Sequence, residues 1–202
     1  MRTRGLRLAA YGAMVGAALG LAGPASAGDL STVDPAADVR FYDLSHGIGA
    51  AVPGTEVPEQ RNADLRRFHV RYGEKRIQVV MKFRELKRTR PVLMIEGRFR
   101  FPGGGQLNYE EAIVTATRAN RSGTARMTDC SVRHRISYAR NRARLSFPAR
   151  CLSSPRWIQF NAWILTMDHK KEPSYLLGDH VFPVLSANES AVEQFTRRIR
   201  RS

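Results

Sequence analysis

The sequence predicts an all-β protein, an antiparallel β-sandwich of the jelly-roll or immunoglobulin-like kind. Apolar and polar residues alternate with a period of two over most of the chain, and turn residues interrupt the alternation about every ten residues. The chain has 202 residues, of which 43% are hydrophobic and 25% charged, so it is long enough for one globular domain with its own core.

Residues 1–27 have the order of charge and hydropathy that is typical of a secretory signal peptide. Arginines precede an uncharged apolar stretch over 8–22, and an Ala-Ser-Ala cleavage motif ends at Ala27. The apolar stretch is shorter than a membrane-spanning helix, and no longer apolar run follows it. We therefore expect a secreted protein, extracellular or associated with the cell wall, whose mature chain begins at Gly28 and does not span a membrane.

The mature chain divides into a predicted sandwich domain over 28–186 and a basic C-terminal segment over 187–202. The second segment is predicted to be a short basic helix or a tail, and residues 168–186 lack a regular pattern. The predicted strands are Val39–Asp43, Asp64–Tyr72, Lys75–Arg84, Val92–Phe101, Leu107–Thr117, a run that begins at Gly123, and Arg156–Thr166.

Gly73-Glu74 predicts a hairpin between the second and third of these strands. A two-residue turn at this point would place Val70 opposite Ile77 and Phe68 opposite Val79. All four residues are apolar, so the predicted pairing gives the hairpin one face that packs into the core.

The best-defined predicted hairpin turns at Arg140-Asn141. A two-residue turn there places Ile136 opposite Leu145 on the apolar face, and it places Cys130 opposite Cys151. The α-carbons of a directly opposed pair are close enough for a disulfide, and an exported protein meets an oxidising environment. We therefore predict the disulfide Cys130–Cys151 within a cross-strand pair.

The polar face of this hairpin is a candidate anion-binding surface. The chain carries a formal net charge of +15, although residues 28–65 are predominantly acidic. Arginine side chains bind phosphate or carboxylate groups in bidentate fashion. The alternative is a charged face that only interacts with solvent. The five candidate anion-binding residues are Arg133, Arg135, Arg142, Arg144 and Arg150.

The strand predicted over 156–166 offers a second candidate site. One face is wholly apolar, whereas the other alternates indole rings with amides, a combination that suits a sugar ligand because rings stack and amides bond to hydroxyls. The alternative is that the large rings pack within the protein. The candidate glycan-binding residues are Trp157, Gln159, Asn161 and Trp163.

Several of these segments resemble a group of secreted actinobacterial proteins of unknown function. The resemblance is carried by Cys130…Ile136-Ser137-Tyr138…Leu145-Ser146-Phe147-Pro148…Cys151-Leu152…Pro155-Arg156-Trp157, by Asp34…Asp38-Val39, and by Val79…Phe83…Leu86. The group is similar in shape to DOMON domains and family 9 carbohydrate-binding modules. That resemblance implies a β-sandwich with either a glycan on aromatic platforms or a haem held by a Met/His pair.

No cofactor and no metal site are predicted from the sequence. The spacing of methionines and histidines selects no haem-ligating pair, so we expect no cofactor. The acidic residues Asp34, Asp38 and Asp43 are an alternative as a calcium site, but they lack the dense spacing of a calcium-binding loop. Asp179 lies beside a histidine in the region predicted to be irregular, where a surface loop explains the pair better than a metal site does.

The sequence contains no hydrolase elbow, phosphate-binding loop or zinc-protease motif. We therefore expect a secreted non-catalytic binding protein whose partner is a glycan or an anionic wall polymer, and not nucleic acid. One alternative is an enzyme that acts on polysaccharides through a carboxylate pair, Glu96 with Glu110 or Glu111. The other alternative is a structural or partner-binding exported protein that docks through its basic C-terminal residues.

Overall fold

The computed structural model consists of two antiparallel sheets packed face to face, which confirms the predicted all-β sandwich. It describes residues 28–34, 38–43, 52–88, 91–168, 175–180 and 194–202. The predicted signal peptide lies outside the described residues, as does the part of the basic C-terminal segment before residue 194. None of the described residues belong to a helix with the length and hydropathy that a membrane crossing requires.

The described residues contribute thirteen strands to the two sheets. They are β1 (Asp29–Val33), β2 (Arg40–Asp43), β3 (Val52–Glu56), β4 (Leu65–Tyr72), β5 (Arg76–Phe83), β6 (Val92–Gly103), β7 (Gln106–Ala116), β8 (Thr124–Arg126), β9 (Arg133–Ser137), β10 (Arg142–Pro148), β11 (Trp157–Asp168), β12 (Tyr175–His180) and β13 (Ile199–Arg200). The five-stranded sheet has the order β1-β4-β5-β10-β9. The eight-stranded sheet has the order β3-β2-β12-β11-β6-β7-β8, and β13 pairs with the start of β11.

Alternation along the strands determines which side chains fill the core between the sheets. Four buried phenylalanines, two from each sheet, connect the layers at ring-centroid distances between 5.1 and 5.3 Å. They are Phe68, Phe147, Phe99 and Phe160. Gly97 lies against them, because a Cβ atom at that position would come within 3.2 Å of the Phe160 ring. The core therefore has no room for a side chain at this point of β6.

Both predicted hairpins form, but the predicted pairing is wrong by two residues in each. Tyr72, and not Val70, lies opposite Ile77. Ile136 lies opposite Ala143, and not opposite Leu145. The first turn is centred one residue later than predicted, and the Gly73 N–H donates to the carbonyl of Arg76. The second turn is centred one residue earlier, where a 3-10 turn over Tyr138–Arg140 leads into the left-handed Asn141. Because side chains alternate with a period of two, the shift changes the partners while each residue keeps its predicted face.

The disulfide Cys130–Cys151 is present, with a Cα–Cα distance of 5.9 Å. The prediction that the two cysteines lie opposite each other on paired strands is wrong. Cys130 lies before β9 begins, and Cys151 lies in a 3-10 helix that follows β10. The bond therefore links the two segments that leave the open end of the hairpin.

The C-terminal region also differs from the prediction. Residues 175–180 form β12 within a region that was predicted to be irregular. Among the described residues of the C-terminal segment, 194–202 contain a strand and no helix. Ile199 is buried, and the backbone N–H of Ser202 donates to the carbonyl of Tyr72 at 3.1 Å. The end of this segment is therefore part of the sandwich.

Candidate functional site

The outer face of the five-stranded sheet carries a dense group of cationic side chains. The register aligns outward positions of neighbouring strands, so Arg67, Lys82 and Arg142 lie in one row across the sheet. We call this surface the arginine face. It consists of the outward cationic residues of β4, β5, β9 and β10, namely Arg67, Arg71, Arg76, Lys82, Arg133, Arg135, Arg142 and Arg144.

The charges are densest where β9 pairs with β10. Arg135 lies directly opposite Arg144, and both side chains are exposed. The pKa of Arg142 is lowered, first by desolvation and then by the positive charges of Arg144, Arg140 and Arg135. Like charges in such positions repel one another, so an anion bound between them would relieve the repulsion.

Little negative charge opposes this cluster. Asp29 is the acidic residue at the outward positions of these five strands, and its carboxylate lies 3.7 Å from the Nε2 atom of His69, near the opposite edge of the sheet from β9. Among the described residues, none forms an ion pair or a side-chain hydrogen bond with the four arginines of β9 and β10. Their guanidinium groups are available to an external ligand.

Four of the five arginines predicted as the anion site belong to this face, and Arg150 does not. β10 ends at Pro148, and the chain continues as the 3-10 helix Ala149–Leu152. Arg150 is exposed in that helix, beyond the end of the strand. Arg150 was assigned to this face by continuing the strand alternation past Pro148, although proline lacks the N–H that would continue the ladder.

The sequence pattern did not connect the cationic residues of β4 and β5 with those of the hairpin. β5 contributes Arg76 and Lys82, and it pairs with β10, about 65 residues further along the chain. Alternation would have placed Arg67 and Arg71 on one face of β4, but only the pairing of distant strands joins that face to the hairpin. The structure thereby enlarges a predicted strip on one hairpin into most of a sheet face.

The indole strand β11 lies at the centre of the eight-stranded sheet, and the C-terminal segment covers its first half. The guanidinium carbon of Arg198 lies 4.4 Å from the centroid of the Trp157 ring. The Gln159 amide accepts from the Nε of Arg100 at 3.0 Å and donates to the carbonyl of Thr196 at 2.6 Å. Its amide group is therefore already engaged within the protein.

The second half of β11 has similar internal contacts. Asn161 is buried, and its side-chain oxygen accepts from the backbone N–H of Ala162 at 2.7 Å. The guanidinium carbon of Arg98 lies 5.3 Å from the centroid of the half-buried Trp163 ring. The four candidate residues share one face, as predicted, but protein groups cover the rings and bond to the amides.

The carboxylates considered for catalysis lie on β6 and β7. Arg98 bonds to the buried Glu96 through its Nε atom, and that same atom lies 3.5 Å from a carboxylate oxygen of Glu111. Burial raises the pKa of Glu96, Arg98 opposes that rise, and Glu111 adds to it. Glu110 is directed elsewhere, because it accepts from the backbone N–H of Thr128 at 3.1 Å. The geometry therefore selects Glu111 as the only one of the two that approaches Glu96.

A shallow cleft of about 300 Å³ lies beside this group, lined by Glu111, Ile113, Arg126, Met127 and Thr128. Of the two carboxylates, the cleft reaches only that of Glu111. Glu96 is buried beneath Arg98. The arrangement is an ion-pair network in which a cation separates two carboxylates.

Comparison with known proteins yields no match. No family model matches the chain. No curated protein and no solved structure matches it either. Inferences about function therefore depend on the residues and geometry described above.

Proposed function

We propose that this protein is a secreted, non-catalytic binding protein of the cell envelope or extracellular space, and that its ligand is an anionic wall polymer. The arginine face is the observation that carries the proposal. Its β9–β10 half combines Arg135, Arg142 and Arg144 at neighbouring positions, with no described carboxylate beside them. Such a group of guanidiniums attracts a polyanion at long range and binds its charged groups by bidentate hydrogen bonds.

The spacing of the sheet suits a repeating ligand. Neighbouring strands are ~4.8 Å apart, and successive outward residues of one strand are ~7 Å apart. The cations therefore form a two-dimensional grid and not a single pocket. An extended polymer with regularly spaced phosphate or carboxylate groups can contact several of them simultaneously, whereas a small monovalent anion can contact only one or two.

A neutral glycan on β11 is the less favoured ligand. The amides of Gln159 and Asn161 already bond to protein groups, and a guanidinium lies over each indole. A sugar would have to displace Arg98 or Arg198 before it could stack on Trp163 or Trp157. No such displacement is needed on the arginine face.

The enzymatic alternative depends on Glu96 and Glu111. Its support is the raised pKa of the buried Glu96 beside an exposed second carboxylate and a cleft. It predicts that the protein releases soluble products from wall polysaccharide and that Glu96→Gln abolishes the release. Absence of product from the wild-type protein would exclude this alternative.

The decisive experiment measures binding of the purified protein to cell-wall sacculi with and without their anionic polymers, at low and high salt. We expect binding that requires the polymer and weakens at least tenfold between about 50 mM and about 500 mM salt. The double variant Arg135→Ser, Arg144→Ser should lose most of this binding. The control variant Arg118→Ser, Arg156→Ser removes the same charge from exposed positions elsewhere and should retain it.

Three outcomes would contradict the proposal. If both double variants lost binding to the same extent, the binding would depend on net charge and not on the arginine face. Binding that persists at high salt and is lost in Trp163→Ala would show that the binding site lies on β11, and it would favour a neutral glycan as the ligand. Absence of binding under every condition would exclude the wall polymer as the ligand.

A further inference from the structure

Two aspartates from the segment between β1 and β2 meet a third, distant in sequence, between the two sheets. Asp34 follows β1, Asp38 precedes β2, and Asp179 lies in β12. One carboxylate oxygen from each lies within 4.8 Å of the others. Asp179 points inward, because it occupies the position opposite the buried Ile164, and its Oδ2 atom accepts from the backbone N–H of Leu65 at the start of β4. The cluster therefore joins elements of both sheets.

Asp34 has the least satisfied carboxylate of the three. The residue is 2% exposed, and both of its carboxylate oxygens are buried without a hydrogen-bond donor among the described residues. Its backbone is held in place, since its N–H donates to the carbonyl of Arg66 at 3.1 Å. A buried carboxylate without donors is costly, and such groups in proteins are normally paired or coordinate a metal.

The surrounding charges make the ionised form of Asp34 still less favourable. The pKa of Asp34 is raised to about 9, first by burial and then by the negative charges of Asp179, Asp38 and Asp64, while Arg66 opposes the rise. Asp64 is itself fully buried and lies 3.4 Å from the Nη1 atom of Arg84. The site thus concentrates carboxyl groups within a protein that is otherwise strongly basic.

We propose that Asp34, Asp38 and Asp179 bind a calcium ion. Carboxylate oxygens are hard ligands, and Ca²⁺ accepts them at about 2.3–2.6 Å in flexible geometry. Two oxygens that contact one such ion are at most ~5 Å apart, which accommodates the observed separations. The ion would connect the segment after β1 to β12 and thereby to the start of β4. Its role would be to stabilise the sandwich, and it does not depend on the function proposed for the arginine face.

The test uses protein that has been treated with EDTA and then dialysed. Isothermal titration with CaCl₂ should show one ion bound per chain. The melting temperature should rise by about 5 °C or more between EDTA and a hundredfold excess of Ca²⁺ over its dissociation constant. Mg²⁺ should have a smaller effect, because it requires stricter octahedral geometry and gives up its water reluctantly.

Variants distinguish this site from others. Asp34→Asn and Asp38→Asn should fold, as judged by circular dichroism, and should lose most of the calcium-dependent rise. Asp129→Asn, which removes an exposed aspartate outside the cluster, should keep it. The proposal fails if the wild-type protein melts at the same temperature in EDTA and Ca²⁺, or if the two cluster variants retain the full response. Arg135→Ser, Arg144→Ser should respond to Ca²⁺ like the wild type, which separates this result from the test of polymer binding.

Discussion

Arg135 and Arg144 lie directly opposite each other on adjacent antiparallel strands, and both side chains are exposed on the outer face of the five-stranded sheet. A directly opposed pair of like charges destabilises a sheet through electrostatic repulsion. Arg142 adds a third positive charge beside the pair and increases that repulsion. The arrangement lowers the stability of the sheet but concentrates positive potential on its outer face. A concentrated positive potential is expected of a surface that binds anions.

The first prediction concerns the stability of this pair. Arg135→Gln removes one charge while it keeps a long polar side chain, so the free energy of unfolding should stay the same or rise by about 0.2–1 kcal/mol at low salt. The gain should shrink as salt screens the repulsion. Urea unfolding at two ionic strengths measures both effects, with Arg118→Gln as the control. A loss of more than about 1 kcal/mol would mean that Arg135 has a structural role.

The second prediction concerns the disulfide Cys130–Cys151. It closes a loop with a sequence separation of 21 residues, so its loss should lower the free energy of unfolding by about 3 kcal/mol through the greater entropy of the unfolded chain. Urea unfolding of the double variant Cys130→Ala, Cys151→Ala measures the loss. Reductant should reproduce it in the wild type and leave the variant unchanged. An unchanged unfolding midpoint in both would contradict the prediction.

A third prediction follows from the buried Glu96. Its folded-state pKa is raised by burial above the ordinary value of 4.5, against the opposing effect of Arg98 and with a further rise from Glu111. The folded state therefore binds the proton more tightly than the unfolded state does. The stability that this proton contributes is present at low pH and is lost as the pH rises through the folded-state pKa.

Comparison with Glu96→Gln isolates that effect, because the glutamine does not titrate. The wild type should lose stability relative to the variant as the pH rises from about 4 to about 8, measured by urea unfolding at each pH. A difference that stays constant, or that changes in the opposite direction, would show that Arg98 compensates fully for burial.

The fourth prediction tests the packing of the core at Gly97. Its added Cβ atom would lie 3.2 Å from the Phe160 ring and 3.6 Å from a methyl group of Leu145, so Gly97→Ala should lower the free energy of unfolding by about 1–3 kcal/mol. Gly73→Ala is the matched control, because the nearest atom to its Cβ would be a carbonyl oxygen at 3.6 Å in a surface turn. Thermal unfolding of both variants provides the comparison, and equal losses would contradict the prediction.

The alternation of the sequence was sufficient to predict the fold class and the face of most strand residues. Phe68 and Ile136 face the core as predicted, although each has a different partner from the expected one. The reason is that alternation has a period of two, and a shift of two residues leaves it unchanged. The position of the turn distinguishes the two registers, because moving its centre by one residue shifts the pairing by two. That position depends on local backbone geometry that the pattern does not record.

For the candidate sites too, some features could be predicted from the sequence and others required the tertiary structure. The sequence by itself identified the hairpin arginines, the two cysteines as a pair, and the shared face of the indole strand, because each depends on residues close together in one or two strands. Tertiary structure alone decided that β5 extends the arginine face beside β10, that the C-terminal segment covers Trp157, and that Asp179 meets Asp34. These three results depend on contacts between distant segments, and such contacts are selected by the packing of the whole core and not by any local pattern.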